Sequence, residues 1–518
     1  MPKRRTPVAD HHSRPIDAEH AEAALLEHYV RLSGLAHAGR AGVMNGGEPE
    51  DRPPGPVPSP APDPCLPHVR PTDLPHVRPT DLLRRGHRLR AVAAVLALAA
   101  ATGAALLTLP SDAGRRGAAP RPAAGAGAQH LGQAAADAWT HTARLDFAVW
   151  PARGRRTGDT ALLARALRAW TDPAGRGRRS VEPGDPVGGP GTRLLFADDV
   201  DGRAVVLLQD GIHTVRYSEP PHGGKAELAV ALTQDADVTT AAVVVSRSPR
   251  SVRLLLAPWI ATAAVRDLRA PSAGTHAVTR DRNGVTEPVA VTAAGSVTAA
   301  DGPCRGVPVV QLRSSPRIAE ERAFLLADLG GLVPAHLTYM PAPRPGTLPR
   351  PPREATGEAG LRGWAASACR LAGLHGQGVR SVDHWVFATQ PLPERSGNAT
   401  WVCARAETWR GTGDVEYLFL APGGTPARVV GRGRDTAQCS RFGQHVLAHT
   451  EWRAPSGTAY LLVAGSRAVT RLDVTAPVRS TADGRWLAVR APSGRPVEVT
   501  GRLPDGTRIG SPLSPDGP

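Results

Sequence analysis

The sequence predicts a multi-part chain: a disordered N-terminal arm carrying one amphipathic helix, one transmembrane helix, an α+β module, and a mostly-β module of sandwich or barrel type. Three observations predict this. Residues 91–109 (AVAAVLALAAATGAALLTL) are nineteen consecutive uncharged residues. The ninety residues before them hold one aromatic, Tyr29, whereas all 10 tryptophans, all 6 phenylalanines and four of the 5 cysteines come after. Beyond residue 190, short apolar runs alternate with Gly, Asp, Asn and Pro in the manner of strands and turns.

The arm comprises residues 1–88. Its first fifteen residues are polar. A helix is predicted over 17–38, with Leu25, Leu26, Tyr29, Leu32 and Ala36 at helical spacing, Asp17 as a cap and Gly39 as a stop. Nothing else in the arm is apolar enough to cover that stripe, so Leu25, Leu26, Tyr29 and Leu32 are candidate contacts for a cytoplasmic protein partner. A solvated helix without a partner is the alternative. Residues 40–88 form a Pro-rich linker expected to be extended. Within it PHVRPTDL occurs twice in succession, at 67–74 and 75–82, and reads as a slipped duplication in a tolerant spacer.

The apolar run, within an anchor at 89–110, is long enough to cross a hydrocarbon core of about 30 Å at about 1.5 Å per residue. A cleaved signal peptide would lie at the chain start rather than ninety residues in. A buried alanine-rich core helix is the third reading, and the Pro-rich and Gly-rich flanks argue against it. Arg84, Arg85, Arg88 and Arg90 precede the run, whereas Asp112 offsets Arg115 and Arg116 beyond it. The bias places the N-terminus inside and the later modules outside the cytoplasm.

Composition restrains the functional reading. The net charge of +15 invites nucleic-acid binding, but the basic residues are two lysines, Lys3 and Lys225, and sixty arginines, scattered along the chain. That pattern matches high-GC coding bias, and no specific nucleic-acid binding is expected. Cys304, Cys369, Cys403 and Cys439 are too widely spaced for a zinc site built from CxxC pairs. In an oxidising compartment they are expected to form two disulfides, with three connectivities open, while Cys65 stays reduced. Four buried free thiols are the alternative.

After a spacer at 111–130, the α+β module spans 131–340. Helices are expected near 131–148 and 159–171, the second capped by Asp159. Three strands follow between 192 and 219, separated by Asp-Gly turns, and more near 226–233, 238–246, 251–257 and 286–298, with a hairpin at Asn283-Gly284. The run RIAEERAFLLADLG at 317–330 reads as a helix ended by glycine. A Pro/Arg-rich linker at 341–357 leads to the β-rich module, 358–518. It opens with a helix near 358–373 and continues as eight strands at roughly ten-residue spacing. Trp401, Cys403, Arg405, Glu407 and Trp409 share one face of a strand by period two.

No motif assigns chemistry. Asp198, Asp199 and Asp201 before Gly202 lack the further oxygen donors of a calcium loop and read as a capped hairpin turn. Ser440, His445, Glu451 and Asp383 have the residue types of a hydrolase triad, but no Gly-x-Ser-x-Gly elbow accompanies them. No catalytic residue, metal ligand or cofactor is therefore assigned. The six tryptophans beyond residue 360 fill a β core or, if exposed, stack on wall glycan.

The stretch LLEHYVRLSGLA, with Leu25, Leu26, His28, Tyr29, Arg31, Leu32, Leu35 and Ala36, resembles the opening of the first conserved helical region of extracytoplasmic-function sigma factors. The likeness covers about twenty residues, and the rest of a sigma domain is missing after Gly39. It extends to actinomycete single-pass membrane proteins that join such a helix to an anchor and a large exterior part, in stretches such as LLAPW, FLLADLGGLVPAHLTY and CSRFGQHVLA. That group has no established activity, so the resemblance implies topology and no chemistry. The expected function is non-enzymatic sensing or binding of an envelope partner, a cell-wall component among the candidates. An envelope enzyme without a familiar motif, and regulation through the 17–38 helix, are the alternatives.

Overall fold

A computed structural model describes residues 131–511 except 172–177, 182–190, 234–236, 292–303, 305, 344–350, 410, 412, 425, 441–442 and 493. The expected helix at 17–38, with Leu25, Leu26, Tyr29 and Leu32, and the apolar run at 91–109 lie outside them. Among the described residues no helix is long and apolar enough to cross a membrane.

The described part is mostly β, with two α-helices, Thr160–Thr171 and Glu358–Ser367. Asp159 caps the first, its carboxylate accepting from the Leu162 N–H at 2.9 Å. Leu162, Leu163, Ala166 and Trp170 form its buried stripe. They pack on a five-stranded sheet that includes Arg193–Val200, Arg203–Gln209 and His213–Glu219, the three strands read from the Asp-Gly turns.

The largest sheet has ten strands. Its order runs Arg428–Thr436, Gly413–Leu420, Asn398–Thr408, Val379–Pro391, Ala335–Met340, Ala323–Ala327, Pro308–Ser314, Ile260–Asp267, His276–Ala277, with Arg353–Glu354 beside Ala335–Met340. Most neighbours are antiparallel, but Ala335–Met340 and Val379–Pro391 pair in parallel. A parallel pair needs a crossover, and here it contains the helix Glu358–Ser367. The stretch 341–357, read as a linker, thus lies between two paired strands, and the residues expected to form separate modules share one sheet. Two smaller sheets, Leu447–Arg453 with Ala459–Gly465 and Trp486–Arg490, and a four-stranded one built around Arg471–Ala476 and Glu498–Arg502, complete the C-terminal part.

Two expected helices are absent. Residues 323–327 of the 317–330 run form a strand, Ala323–Ala327, instead. Phe324 and Leu326 enter one core while Leu325 and Ala327 enter another on the opposite face. A strand buried on both sides reads as an unbroken apolar run and carries no alternation. Near 131–148 only short 3-10 turns form, at Ala138–Thr140 and Phe147–Val149. The backbone there bonds to the strand Arg193–Val200, with Gly132 N donating to Thr192 O at 2.9 Å and Leu194 N to Gly132 O at 3.0 Å. Trp139, Leu145, Phe147 and Trp150 fill a core at spacings that no single helix face would give. The expected strand at 286–298 is described only as Val289–Ala290.

Cys304, Cys369, Cys403 and Cys439 form two disulfides, Cys304–Cys369 and Cys403–Cys439. The first ties the segment before Pro308–Ser314 to the end of the crossover helix. The second ties Asn398–Thr408 to the loop after Arg428–Thr436, within the core that also holds Trp401 and Phe387.

Candidate functional site: a polar belt between two cores

On one face of the large sheet, side chains of Pro308–Ser314 and Ala323–Ala327 belong to one apolar core, and Trp385, Phe387, Trp401 and Cys403 to another. Six polar side chains lie between. Register aligns them in two rows: His336, Ser381 and Glu407, then Thr338, Asp383 and Arg405. Cross-strand partners share a face and touch, so the belt is a consequence of register alone.

The second row is braced, with Arg405 buried and Thr338 and Asp383 half-buried. Thr338 donates its hydroxyl proton to Asp383. Burial pushes the Asp383 carboxyl up, the Thr338 hydrogen bond opposes this, and nearby Glu407 adds to the rise. Arg405 bonds Glu407 through its Nε and donates through Nη1 to the carbonyls of Thr436 at 2.6 Å and Gln438 at 2.8 Å. It therefore holds the loop that ends in Cys439.

The first row opens into a cleft of about 260 Å³. One wall is Val333, His336, Arg380, Ser381 and Glu407, and the other is Leu232, Thr233, Asp237, Thr239 and Thr240. A chain of charges joins the walls. His336 Nε2 lies 2.7 Å from Glu354, Glu354 pairs with Arg322 at 3.3 Å, and Arg322 Nη2 donates to Asp237 at 2.7 Å. Burial raises the Asp237 carboxyl, but the Thr239 N–H and Arg322 outweigh it and hold the group below its usual range. The acids lining the cleft are thus each matched to an arginine. Such a surface offers hydrogen-bond donors and acceptors with little net field.

Of the residues singled out from the sequence, Asp383, Arg405 and Glu407 lie in this belt, whereas Ser440, Glu451, Asp198, Asp199 and Asp201 do not. Ser440 donates to Ala437 O at 2.7 Å, Glu451 accepts from Gly494 N at 2.7 Å, and Asp383 is held by Thr338, so these three bond to separate partners rather than to one another. Asp198, Asp199 and Asp201 pair with Arg155, Arg156 and Arg253. Ion pairing to three arginines explains those aspartates without a metal. Trp364, Trp385 and Trp401 are core residues, whereas Trp486 is 43% exposed.

No family model matches the chain, and neither a curated protein nor a solved structure does.

Asp237, Arg322, Glu354 and His336 escaped sequence reading. Each is an ordinary residue in a loop or strand, and no fixed spacing relates them.

Proposed function

We propose that this chain is a membrane-anchored, extracytoplasmic binding protein that takes its ligand in the cleft between His336, Arg380, Ser381 and Glu407 and the 237–240 loop. The observation that carries the reading is the neutralised polar lining. Carboxylates already paired to arginines keep spare acceptor positions, and threonine and serine hydroxyls surround them. This suits a neutral, hydroxyl-rich ligand, for which a cell-wall saccharide is the candidate. The two disulfides support an oxidising compartment, and the uncharged run at 91–109 supports the anchor.

Binding of purified wall-glycan fragments to the full chain in nanodiscs tests the proposal. Saturable binding is expected, weakened about tenfold or more by Asp237→Ala or Glu407→Gln, the loss of one charge-assisted hydrogen bond. Equal binding by wild type and both variants would remove the cleft as the site. The raised carboxyl of Asp383 beside the cleft, braced by Thr338, favours one alternative, an envelope hydrolase using that acid. Turnover of the glycan by wild type, abolished in Asp383→Asn while binding persists, would select that alternative.

A further inference from the structure

The opposite face of the same strands carries a second cavity, of about 300 Å³. Its floor is apolar: Val382, Ala404 and Ala406 from adjacent strands, and Trp364 and Leu371 from the crossover helix and the turn after it. The space exists because the residues facing the helix end are small. Gly433, on Arg428–Thr436, also lines it. Trp364 is held in place by its indole N–H, which donates to Thr338 O at 3.0 Å.

The mouth has the opposite character. Arg370 grips Glu416 with two hydrogen bonds, 2.9 and 2.6 Å, and Arg432 Nε donates to the same carboxylate at 3.1 Å. Two guanidiniums therefore share one carboxylate. Among the described residues the two terminal nitrogens of Arg432 have no protein partner, and Arg434, exposed at the mouth, has no ion-pair partner. Asp414 is the second acid of the lining and accepts from the Asp435 N–H at 3.0 Å. Three arginines thus face two acids around an apolar floor.

We infer that this cavity binds a small molecule with an apolar body and an anionic head, the body on the Val382–Ala404–Ala406 floor and the head between Arg432 and Arg434. Planar guanidiniums suit a carboxylate or a phosphate, both of which take paired hydrogen bonds. The inference does not depend on the glycan reading, because the two cavities lie on opposite faces of the sheet.

Calorimetry on the full chain in zwitterionic nanodiscs, with empty nanodiscs subtracted, tests it using 2-naphthoate, 2-naphthyl phosphate, 2-naphthamide and 2-naphthylmethylammonium. Both anions should bind saturably, with the amide weaker by about tenfold or more and the ammonium weaker still. The tighter of the two anions assigns the head to carboxylate or phosphate. The Arg432→Ala/Arg434→Ala variant should lose the preference for anions over the amide. Ala404→Leu should abolish binding of all the probes by filling the floor, with near-UV circular dichroism to confirm its fold. Glu407→Gln, on the other face, should leave binding of these four probes unchanged. Absence of saturable binding, equal affinity for amide and anion, or an unchanged anion preference in the double variant would overturn the inference.

Discussion

Asp383 and His384 are consecutive on one strand and lie on opposite faces of its sheet, the first half-buried and the second wholly buried. Asp383 sits in the polar belt, bonded by Thr338 and opposite Arg405. His384 is wholly buried between the rings of Tyr339 and Trp364, at centroid distances of 5.8 and 5.3 Å, and among the described residues neither of its ring nitrogens has a hydrogen-bond partner. Burial pushes the Asp383 carboxyl up and the His384 imidazole down to about 4. Both shifts resist charge in the middle of the sheet, from opposite sides of it.

The histidine makes stability depend on pH. Its folded pKa of about 4 lies below the unfolded value of about 6.5, so the unfolded chain binds the extra proton between them. Stability is therefore full above about pH 6.5 and is lost as pH falls toward 4, by up to roughly 3 kcal/mol. Asp383 acts in the other sense, its contribution falling as pH rises through its raised pKa, and offsets part of the slope. Denaturant unfolding from pH 4 to 7 should show a shallower rise with pH in His384→Phe than in wild type, and a steeper one in Asp383→Asn. Parallel curves for wild type and His384→Phe would remove the histidine as the cause.

Loss of either disulfide should be costly. The bonds close sequence separations of 65 and 36 residues. Chain-entropy arithmetic gives about 4 kcal/mol for each loop. Cys403→Ala/Cys439→Ala should also loosen the loop that Arg405 holds, so its midpoint in urea should fall below that of wild type. Mass spectrometry of unreduced peptides should recover the Cys304–Cys369 and Cys403–Cys439 pairs and no others among these four.

Gly378 has φ +67°, and a Cβ there would lie 2.1 Å from the Trp409 ring. It immediately precedes Val379–Pro391, so the tryptophan or the start of that strand must move to admit a side chain. Gly378→Ala should cost about 2–4 kcal/mol through backbone strain and overpacking. Because Arg380 and Ser381 lie at that strand start and line the cleft, glycan binding should weaken in the fraction that still folds.

The anchor proposal predicts that the full chain stays with membranes after alkaline extraction, while a chain lacking residues 91–109 is released. Recovery of the full chain in the supernatant would dismiss the anchor.

The arm proposal predicts that Leu26→Asp with Tyr29→Asp abolishes recovery of any cytoplasmic partner without affecting membrane retention. Four side chains of about 1.5–3 kcal/mol each, less the cost of ordering an isolated helix, allow only modest affinity, so two charges suffice to break it. Equal partner recovery from wild type and variant would leave the stripe a solvated helix.

Turn residues and alternation made much of the β structure legible. Asn398–Thr408 is readable by period two, and Arg203–Gln209, apolar on both faces, by the Asp-Gly turns at its ends. The strand Arg428–Thr436 was not, since RVVGRGRDT shows no apolar period and its backbone is ordered by pairing with Gly413–Leu420. Ala323–Ala327 was hidden by burial on both faces. The cysteine count pointed to two bridges, but only the folded chain chose among three connectivities, because pairing depends on which Cα atoms come within about 6 Å. The two cavities lay furthest from reach. Local sequence encodes which residues alternate along a strand, whereas register between strands, decided by the packing of whole faces, sets His336 beside Ser381 and Glu407, and Glu416 beside Ala404 and Arg432.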